Sequence, residues 1–83
     1  MNVTVKYFAS IREDIGVSSE SVATSAATLA ALRDELIALG GAHAESLARG
    51  RAVRMALNQV MSDEAAVLVD GAEVAFFPPV TGG

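Results

Sequence analysis

The chain ends in Asp70-Gly71-Ala72-Glu73-Val74-Ala75-Phe76-Phe77-Pro78-Pro79-Val80-Thr81-Gly82-Gly83, a stretch that combines a turn, a strand and a tail. The Asp70-Gly71 dipeptide is typical of a tight turn, and the apolar residues after it predict a strand over 73–77. Pro78 and Pro79 end this strand, because proline has no backbone N–H to donate to a neighbouring strand. The chain is therefore predicted to leave its last strand through two prolines.

The N-terminal segment is predicted to form a strand with one buried face. Val3, Val5 and Tyr7 alternate with polar residues, which is the period-2 pattern of a half-buried strand. Phe8 would lie on the other face, where it either meets a helix or is left for a partner. In the last strand, Phe76 and Phe77 must likewise point to opposite sides, so only one of them can serve a helix-covered face.

The clearest helix is predicted over 29–39, with Thr28 as its N-cap and Gly40-Gly41 as its stop. Spacings of three and four residues place four leucines on one apolar face: Leu29, Leu32, Leu36 and Leu39. The intervening segment 33–35, Arg-Asp-Glu, is expected mostly to face water. This helix should pack across a sheet.

The remaining segments complete an α+β order of elements. A helical turn over 11–15, ended by Gly16, is followed by a weakly marked strand within 17–24. The segment 42–50 is left open between a short helix and a loop. A third strand carries Val53, Met55 and Leu57 on its inward side.

The predicted order is strand, turn, strand, helix, strand, strand. A mixed sheet with one main helix packed across it is the economical solution for this order. If the first and last strands are parallel neighbours at the centre of the sheet, the arrangement is a β-grasp.

Length and composition limit the possible functions. Eighty-three residues make one domain, and the absence of cysteine excludes disulfides, thiolate nucleophiles and cysteine-based zinc sites. The formal net charge of −4 disfavours a nucleic-acid partner and suits docking on basic surfaces of larger proteins, although a solvated acidic surface explains it equally well. Without an uninterrupted apolar run at the N-terminus, no membrane association and a cytoplasmic location are expected.

The sequence offers little for a conventional active site. His43 is the only histidine and is expected to be a surface or helix-end residue. Asp34-Glu35 and Asp63-Glu64 are adjacent carboxylates, and sequence neighbours point apart on a helix or a strand, which argues against a catalytic dyad. No metal site is expected.

The tail is the unusual feature of this chain. Two prolines favour an extended exit, and at roughly 3.3 Å per residue the four residues after Pro79 could reach about 13 Å into another protein. Gly82 and Gly83 make that end thin enough for a narrow active site. A carboxylate is inert until it is activated, for example by adenylation with ATP, and another protein must supply that step. The alternative is that Gly82 and Gly83 form a disordered terminus without a function.

The stretch 70–83 resembles the C-terminal signature of the small subunit of molybdopterin synthase, the MoaD family. Segments 7–13 (YFASIRE) and 56–59 (ALNQ) also match family patterns, so the resemblance covers essentially the whole chain. Ala72 departs from the pattern, because the family usually has a second acidic residue after the glycine. This departure puts only a local contact in doubt.

The resemblance implies a ubiquitin-like β-grasp domain over 1–77 and a flexible sulfur-carrying tail over 78–83. An ATP-dependent adenylyltransferase, similar to ubiquitin-activating enzymes, would adenylate Gly83, and a sulfur donor protein would convert it to a thiocarboxylate. Gly82 would help the tail to thread. The carrier would then deliver sulfur to cyclic pyranopterin monophosphate inside the large subunit of a heterotetrameric synthase. It would supply no catalytic side chain and bind no cofactor stably.

The resemblance also implies a docking surface for the large subunit. Its positions in this chain are Phe8, Arg12, Met61 and Phe77, together with the tail residues Pro78, Pro79, Val80 and Thr81. Three alternatives stay open: a sulfur carrier for thiamin synthesis or another pathway, a ubiquitin-like modifier of lysines, and an interaction module without covalent chemistry.

Overall fold

The computed structural model describes residues 1–79, which form one five-stranded sheet and three helices. In chain order the elements are β1 (Asn2–Tyr7), α1 (Ala9–Ile15), β2 (Ser19–Ala23), α2 (Leu29–Ala38), α3 (Gly41–Leu47), β3 (Arg54–Leu57), β4 (Val60–Ser62) and β5 (Glu73–Phe77). The strand order across the sheet is β2-β1-β5-β3-β4. No helix among residues 1–79 has the length and apolarity needed to cross a membrane.

The first and last strands are the central neighbours of the sheet. β1 and β5 run parallel, with Val5 opposite Val74 and Tyr7 opposite Phe76, whereas the other neighbouring strands are antiparallel. The predicted mixed sheet and the β-grasp arrangement are therefore confirmed.

The predicted order lacked one strand. β4 is a three-residue strand that pairs with β3 through a two-residue turn, in which Asn58 has φ 50° and Gln59 has φ 69°. Positive φ at both central residues is the geometry of a type I′ hairpin turn. The turn contains no glycine, so the residues 58–59 carry no strong hairpin signal.

The hydrophobic core lies between the sheet and the helices. Tyr7 and Phe76 are fully buried and stack with ring centroids 6.4 Å apart. Three of the leucines on α2 lie against this face, together with Leu47 of α3. Within residues 1–79, the core cluster extends from Val3 to Phe76 and includes neither proline.

Local capping signals explain where the helices begin and end. The Thr28 side chain accepts a hydrogen bond from the Ala31 N–H at 3.2 Å, which fixes the start of α2. Gly16 ends α1 with φ 93°, a left-handed conformation that suits glycine. α3 settles the open choice for 42–50 in favour of a short helix followed by a loop.

Two expectations for α2 are wrong. Leu39 does not belong to the buried face: the helix ends at Ala38, and Leu39 is 65% exposed as the capping residue. Arg33 does not face water: it is 5% exposed, and its guanidinium donates to the carbonyls of Leu47 and Ala48, both at 2.8 Å. The side chain is buried because it satisfies carbonyls at the end of α3 that the helix itself leaves unpaired.

Candidate functional site

The helices cover one face of the sheet and leave the other uncovered. Since Tyr7 and Phe76 face the helices, strand alternation places their neighbours Lys6, Ala75 and Phe77 on the opposite side. We call this side the open face. Across the four strands β1, β5, β3 and β4 it carries Thr4, Lys6, Glu73, Ala75, Phe77, Arg54, Ala56 and Met61.

Two aromatic residues, Phe8 and Phe77, lie at the end of the open face where β5 ends, and we call them the aromatic pair. The Phe8 N–H donates to the Phe76 carbonyl at 3.1 Å, so parallel pairing continues one residue beyond β1 and sets Phe8 beside Phe77. Phe8 is 44% exposed and Phe77 is half-buried, whereas Phe76 is buried among the core residues. The expectations that Phe8 lies on the side of Thr4 and Lys6 and that Phe76 and Phe77 face opposite sides are confirmed.

The next residue gives the chain a sharp change of direction. Ala9 has φ 52°, a conformation uncommon for a residue other than glycine, and it starts α1 directly after Phe8. Arg12 follows one helical turn later, where its N–H donates to the Phe8 carbonyl at 3.3 Å and its side chain is exposed. α1 therefore holds Arg12 near the aromatic pair.

The structure places the other predicted docking residues on the same face or at its end. Met61 lies opposite Ala56 on β4, the outer strand, and is 59% exposed. Pro78 and Pro79 directly follow β5 and are half-buried. Val80, Thr81, Gly82 and Gly83, including the carboxylate that carries the predicted chemistry, lie outside the described residues.

Polar contacts hold the start of β5. Glu73 pairs with Lys6 of β1 at 3.2 Å across the open face. On its other side, the Asn58 N–H donates to the Glu73 carbonyl at 2.8 Å, and the Asn58 side-chain oxygen accepts the Glu73 N–H at 2.9 Å. The β3–β4 turn is thus joined to the strand that leads to the tail. Asn58 belongs to the segment 56–59 that matched the family pattern, which is the signal that could have identified it.

A second polar cluster lies on the helix side of the sheet. The Tyr7 hydroxyl donates to a Glu20 carboxylate oxygen at 2.6 Å, and His43 Nε2 lies 2.8 Å from that same oxygen. His43 is half-buried in α3 and meets the Tyr7 ring edge to face, so it is more than a surface residue. Nothing in the sequence signalled this cluster, because it depends on the pairing of β1 with β2.

The cluster changes the protonation equilibria of its members. Burial disfavours the charged form of Glu20, but the hydrogen bonds with His43 and Tyr7 outweigh it and lower the pKa of Glu20 below its usual value. Burial, with the Glu20 hydrogen bond and charge, raises the pKa of Tyr7 far above its usual value. The cluster joins β1, β2 and α3 and lies away from the open face.

The adjacent carboxylates make separate contacts. Asp34 pairs with Arg49 at 2.9 Å, whereas Glu35 accepts hydrogen bonds from the Thr24 hydroxyl. Glu64 pairs with Arg33 and Arg49. Within residues 1–79 no three His, Cys, Asp or Glu side chains are grouped so as to hold a metal ion.

Comparison with known proteins gives matches over the length of the chain. The ThiS family model matches residues 5–83. The molybdopterin synthase sulfur carrier subunit of Escherichia coli K12 is 41% identical over 81 residues, which covers 98% of this chain and 99% of that protein. The corresponding subunit of Haemophilus influenzae is 38% identical over the same share of both chains.

Solved structures show the same fold. Subunit 1 in the complex of subunits 1 and 2 of molybdopterin-converting factor from Helicobacter pylori is one match: 30% identity, 100% of both chains covered, TM-score 0.70. SAMP1 from Haloferax volcanii is 25% identical, with 100% of both chains covered and a TM-score of 0.78. The resemblance to molybdopterin synthase small subunits is confirmed over the whole chain, and the chain belongs to the ThiS family.

Proposed function

We propose that this protein is the sulfur carrier subunit of a molybdopterin synthase. The observation that carries the proposal is the 41% identity to the Escherichia coli sulfur carrier subunit over 98% of this chain. The match of the ThiS family model extends to Gly83. The geometry agrees with it, because Pro78 and Pro79 leave the sheet directly after Phe77, beside the exposed Phe8. A partner that binds the open face would receive the tail at the same time.

The proposed chemistry takes place on Gly83. One carboxylate oxygen attacks the α-phosphate of ATP in the active site of an adenylyltransferase, which forms an acyl-adenylate and releases pyrophosphate. Sulfide supplied by a sulfur donor protein then attacks the carbonyl carbon and displaces AMP, which leaves a thiocarboxylate. ATP is a substrate of the activating enzyme, which would supply the catalytic side chains for both steps.

The proposed docking surface consists of Phe8, Phe77 and Met61, with Arg12 at its end. Three exposed or half-buried apolar side chains on an uncovered sheet face are typical of a protein–protein interface. The large synthase subunit would cover this face while the tail enters its active site. Pro78, Pro79, Val80 and Thr81 would line the path of the tail.

Reconstitution tests the proposal. The protein is incubated with its cognate adenylyltransferase, ATP and a sulfur donor, and intact-mass spectrometry measures whether one oxygen is replaced by sulfur. The product is then mixed with the large subunit and cyclic pyranopterin monophosphate. We expect the thiocarboxylate form to yield molybdopterin and the carboxylate form to yield none. Failure of the thiocarboxylate form to support synthesis with an active large subunit would contradict the assignment.

A protein modifier is the second candidate, because SAMP1 matches this fold over 100% of both chains. In that case Gly83 would form an isopeptide bond with lysines of other proteins. Mass spectrometry of protein isolated from its native cells separates the two candidates: lysine conjugates support the modifier, and a thiocarboxylate supports the carrier. A thiocarboxylate that supports thiazole synthesis but not molybdopterin synthesis would instead assign it to the thiamin pathway.

A further inference from the structure

Arg54 occupies a position on the open face that the proposed docking residues do not explain. It is the first residue of β3 and lies directly opposite Phe77 in the sheet. Phe8, Phe77 and Arg54 therefore form a row across three neighbouring strands at the base of the tail. The side chain of Arg54 is exposed.

The charge of Arg54 is not neutralised within the described part of the chain. Among residues 1–79, the basic side chains that have a carboxylate partner are those of Lys6, Arg33 and Arg49, and His43 lies against Glu20. Arg51 donates to the Glu45 carbonyl on the helix side. Arg54 has no carboxylate oxygen within 4.0 Å in that range, although the protein as a whole carries a formal charge of −4.

A groove of about 330 Å³ begins at Arg54 and extends along β4. Val53, Met55 and Met61 supply its apolar surface. Of its two acidic residues, Glu64 pairs with Arg33 and Arg49, whereas the Asp63 carboxylate accepts the N–H of Ala65 and keeps its charge. The groove can thus hold the methylene groups of a side chain whose charged end meets Arg54.

An exposed arginine beside apolar side chains is a specific receptor for a carboxylate. The planar guanidinium can donate two parallel hydrogen bonds to one carboxylate, and the contact strengthens where the surrounding interface excludes water. Because the protein as a whole is acidic, long-range attraction does not favour an acidic partner surface. A contact between Arg54 and a carboxylate would therefore act at short range and determine how the two proteins are aligned when they bind.

We propose that Arg54 determines docking specificity by receiving an aspartate or glutamate side chain of the large synthase subunit, which rests on the proposed function. This surface contact differs from the general expectation for an acidic protein, which is to dock on a basic surface. The partner presents a carboxylate beside the pocket or cleft that receives the aromatic pair.

Binding of the full-length protein to its cognate large subunit tests the proposal, measured by titration calorimetry at low and high salt. Arg54→Glu should raise the Kd at least about tenfold at low salt, with a smaller effect at high salt. The matched control is Arg51→Glu, which makes the same charge change at an exposed arginine on the helix side. We expect it to change the Kd by less than about threefold, because a solvent-exposed charge outside the interface is largely screened.

A second pair of variants does not depend on charge reversal. Arg54→Lys keeps the positive charge and should keep part of the affinity for the large subunit, whereas Arg54→Gln removes the charge and should bind more weakly than Arg54→Lys. Circular dichroism confirms that each variant is folded. Among Asp→Lys and Glu→Lys variants of the large subunit, one should restore binding to Arg54→Glu. Equal Kd values for Arg54→Glu and Arg51→Glu, with normal wild-type binding, would overturn the role of Arg54 and leave the proposed function intact. Absence of wild-type binding would overturn both.

Discussion

Arg33, a residue of α2, stabilises the fold by capping the C-terminal end of α3. The last carbonyls of a helix have no intrahelical partner, and those of Leu47 and Ala48 receive hydrogen bonds from the Arg33 guanidinium instead. A third bond reaches the Arg51 carbonyl at 3.3 Å. One side chain thus satisfies the end of α3 and the loop after it, while Glu64 neutralises its charge.

Replacing Arg33 with methionine should lower the free energy of unfolding by about 3 kcal/mol, because buried carbonyls would lose their donors and Glu64 would lose a partner. Urea denaturation measures the difference. Arg49→Met is the matched control, since Arg49 also pairs with Glu64 but its side chain is 42% exposed. We expect that variant to lose about 1 kcal/mol or less. Equal losses in the two variants would contradict the capping role.

Tyr7 should resist ionisation as long as the protein is folded. Its raised pKa means that the folded state holds the hydroxyl proton more tightly than the unfolded chain does. The stabilising contribution is therefore complete below the ordinary pKa of 10.0 and is lost as the pH rises above it. Tyr7 is the only tyrosine, so the ultraviolet absorbance of tyrosinate reports on this residue alone.

We expect tyrosinate to appear in alkaline titration only as the protein unfolds, monitored by circular dichroism on the same samples. In urea it should titrate near its ordinary pKa. Glu20→Gln provides the comparison, since removal of the neighbouring negative charge should lower the pKa of Tyr7 in the folded state. Reversible ionisation of wild-type Tyr7 near pH 10 with unchanged circular dichroism would show that the hydroxyl is accessible.

At the level of helices and strands, local signals predicted most of the fold. Alternation identified β1 and β5, and Thr28 and Gly16 marked helix ends, because each of these signals acts through neighbouring backbone groups. β4 was missed because three residues are too few to show a period, and its turn, Asn58-Gln59, lacks glycine.

In the candidate site, too, features set by neighbouring residues could be predicted, whereas contacts between residues far apart in the chain could not. That Phe76 and Phe77 face opposite sides followed from strand alternation, which is a local argument, whereas the choice of Phe77 for the docking surface came from the family resemblance. The burial of Arg33 and the charge environment of Arg54 depend on contacts between residues far apart in the chain, which periodicity does not contain. The contact of His43 with Glu20 is of the same kind, since it needs α3 to be placed over β2.

The β3–β4 turn should depend strongly on the residue at position 58. Asn58→Ala removes the acceptor for the Glu73 N–H and places a residue poorly suited to positive φ at 50°, so unfolding free energy should fall by about 2 kcal/mol. Asn58→Gly loses the hydrogen bond but tolerates the backbone, and should lose about 1 kcal/mol. Chemical denaturation of both variants measures these losses. The reverse order of stability would contradict this account of the turn.

Phe77 lies on the open face, where a charged side chain should be compatible with folding but not with a buried interface. Phe77→Arg should leave the monomer folded and weaken binding to the large subunit by about 2 kcal/mol or more. Leu39→Arg is the control, because Leu39 is an exposed apolar residue at the end of α2 rather than on the open face. Calorimetric binding and thermal denaturation are measured for both. An unfolded Phe77→Arg protein would assign Phe77 to the core instead.

At the level of the whole molecule, stability and the proposed chemistry are separated along the chain. The core cluster ends at Phe76, and the last described residue is Pro79. Changes at Gly82 should therefore affect the proposed transfer without affecting folding. This separation allows the tail to be tested in an otherwise native protein.

Gly82→Val keeps the terminal carboxylate and the charge but adds a branched side chain that restricts the backbone. Adenylation and sulfur delivery should each fall on the order of 100-fold, since misplacement by about 1 Å at a reacting atom has this effect. ATP-dependent adenylate formation is measured separately from transfer by chemically prepared thiocarboxylate. Deletion of Gly82 and Gly83 is the reference for complete loss, and an unchanged melting temperature is expected in both. Near-normal rates for Gly82→Val would contradict an enclosed tail.

The parallel pairing of β1 with β5 also determines when the protein can fold during its synthesis. The chain emerges from the ribosome with β1 first, and the strand that completes the centre of the sheet is the last to be made. Until β5 is available, β1 lacks one of its two neighbouring strands, and β3 and β4 have no strand that links them to β1. Native contacts that join the two ends of a chain form slowly, because the intervening loop must first be closed. The nascent chain therefore stays incompletely folded until β5 has been made and has left the ribosome.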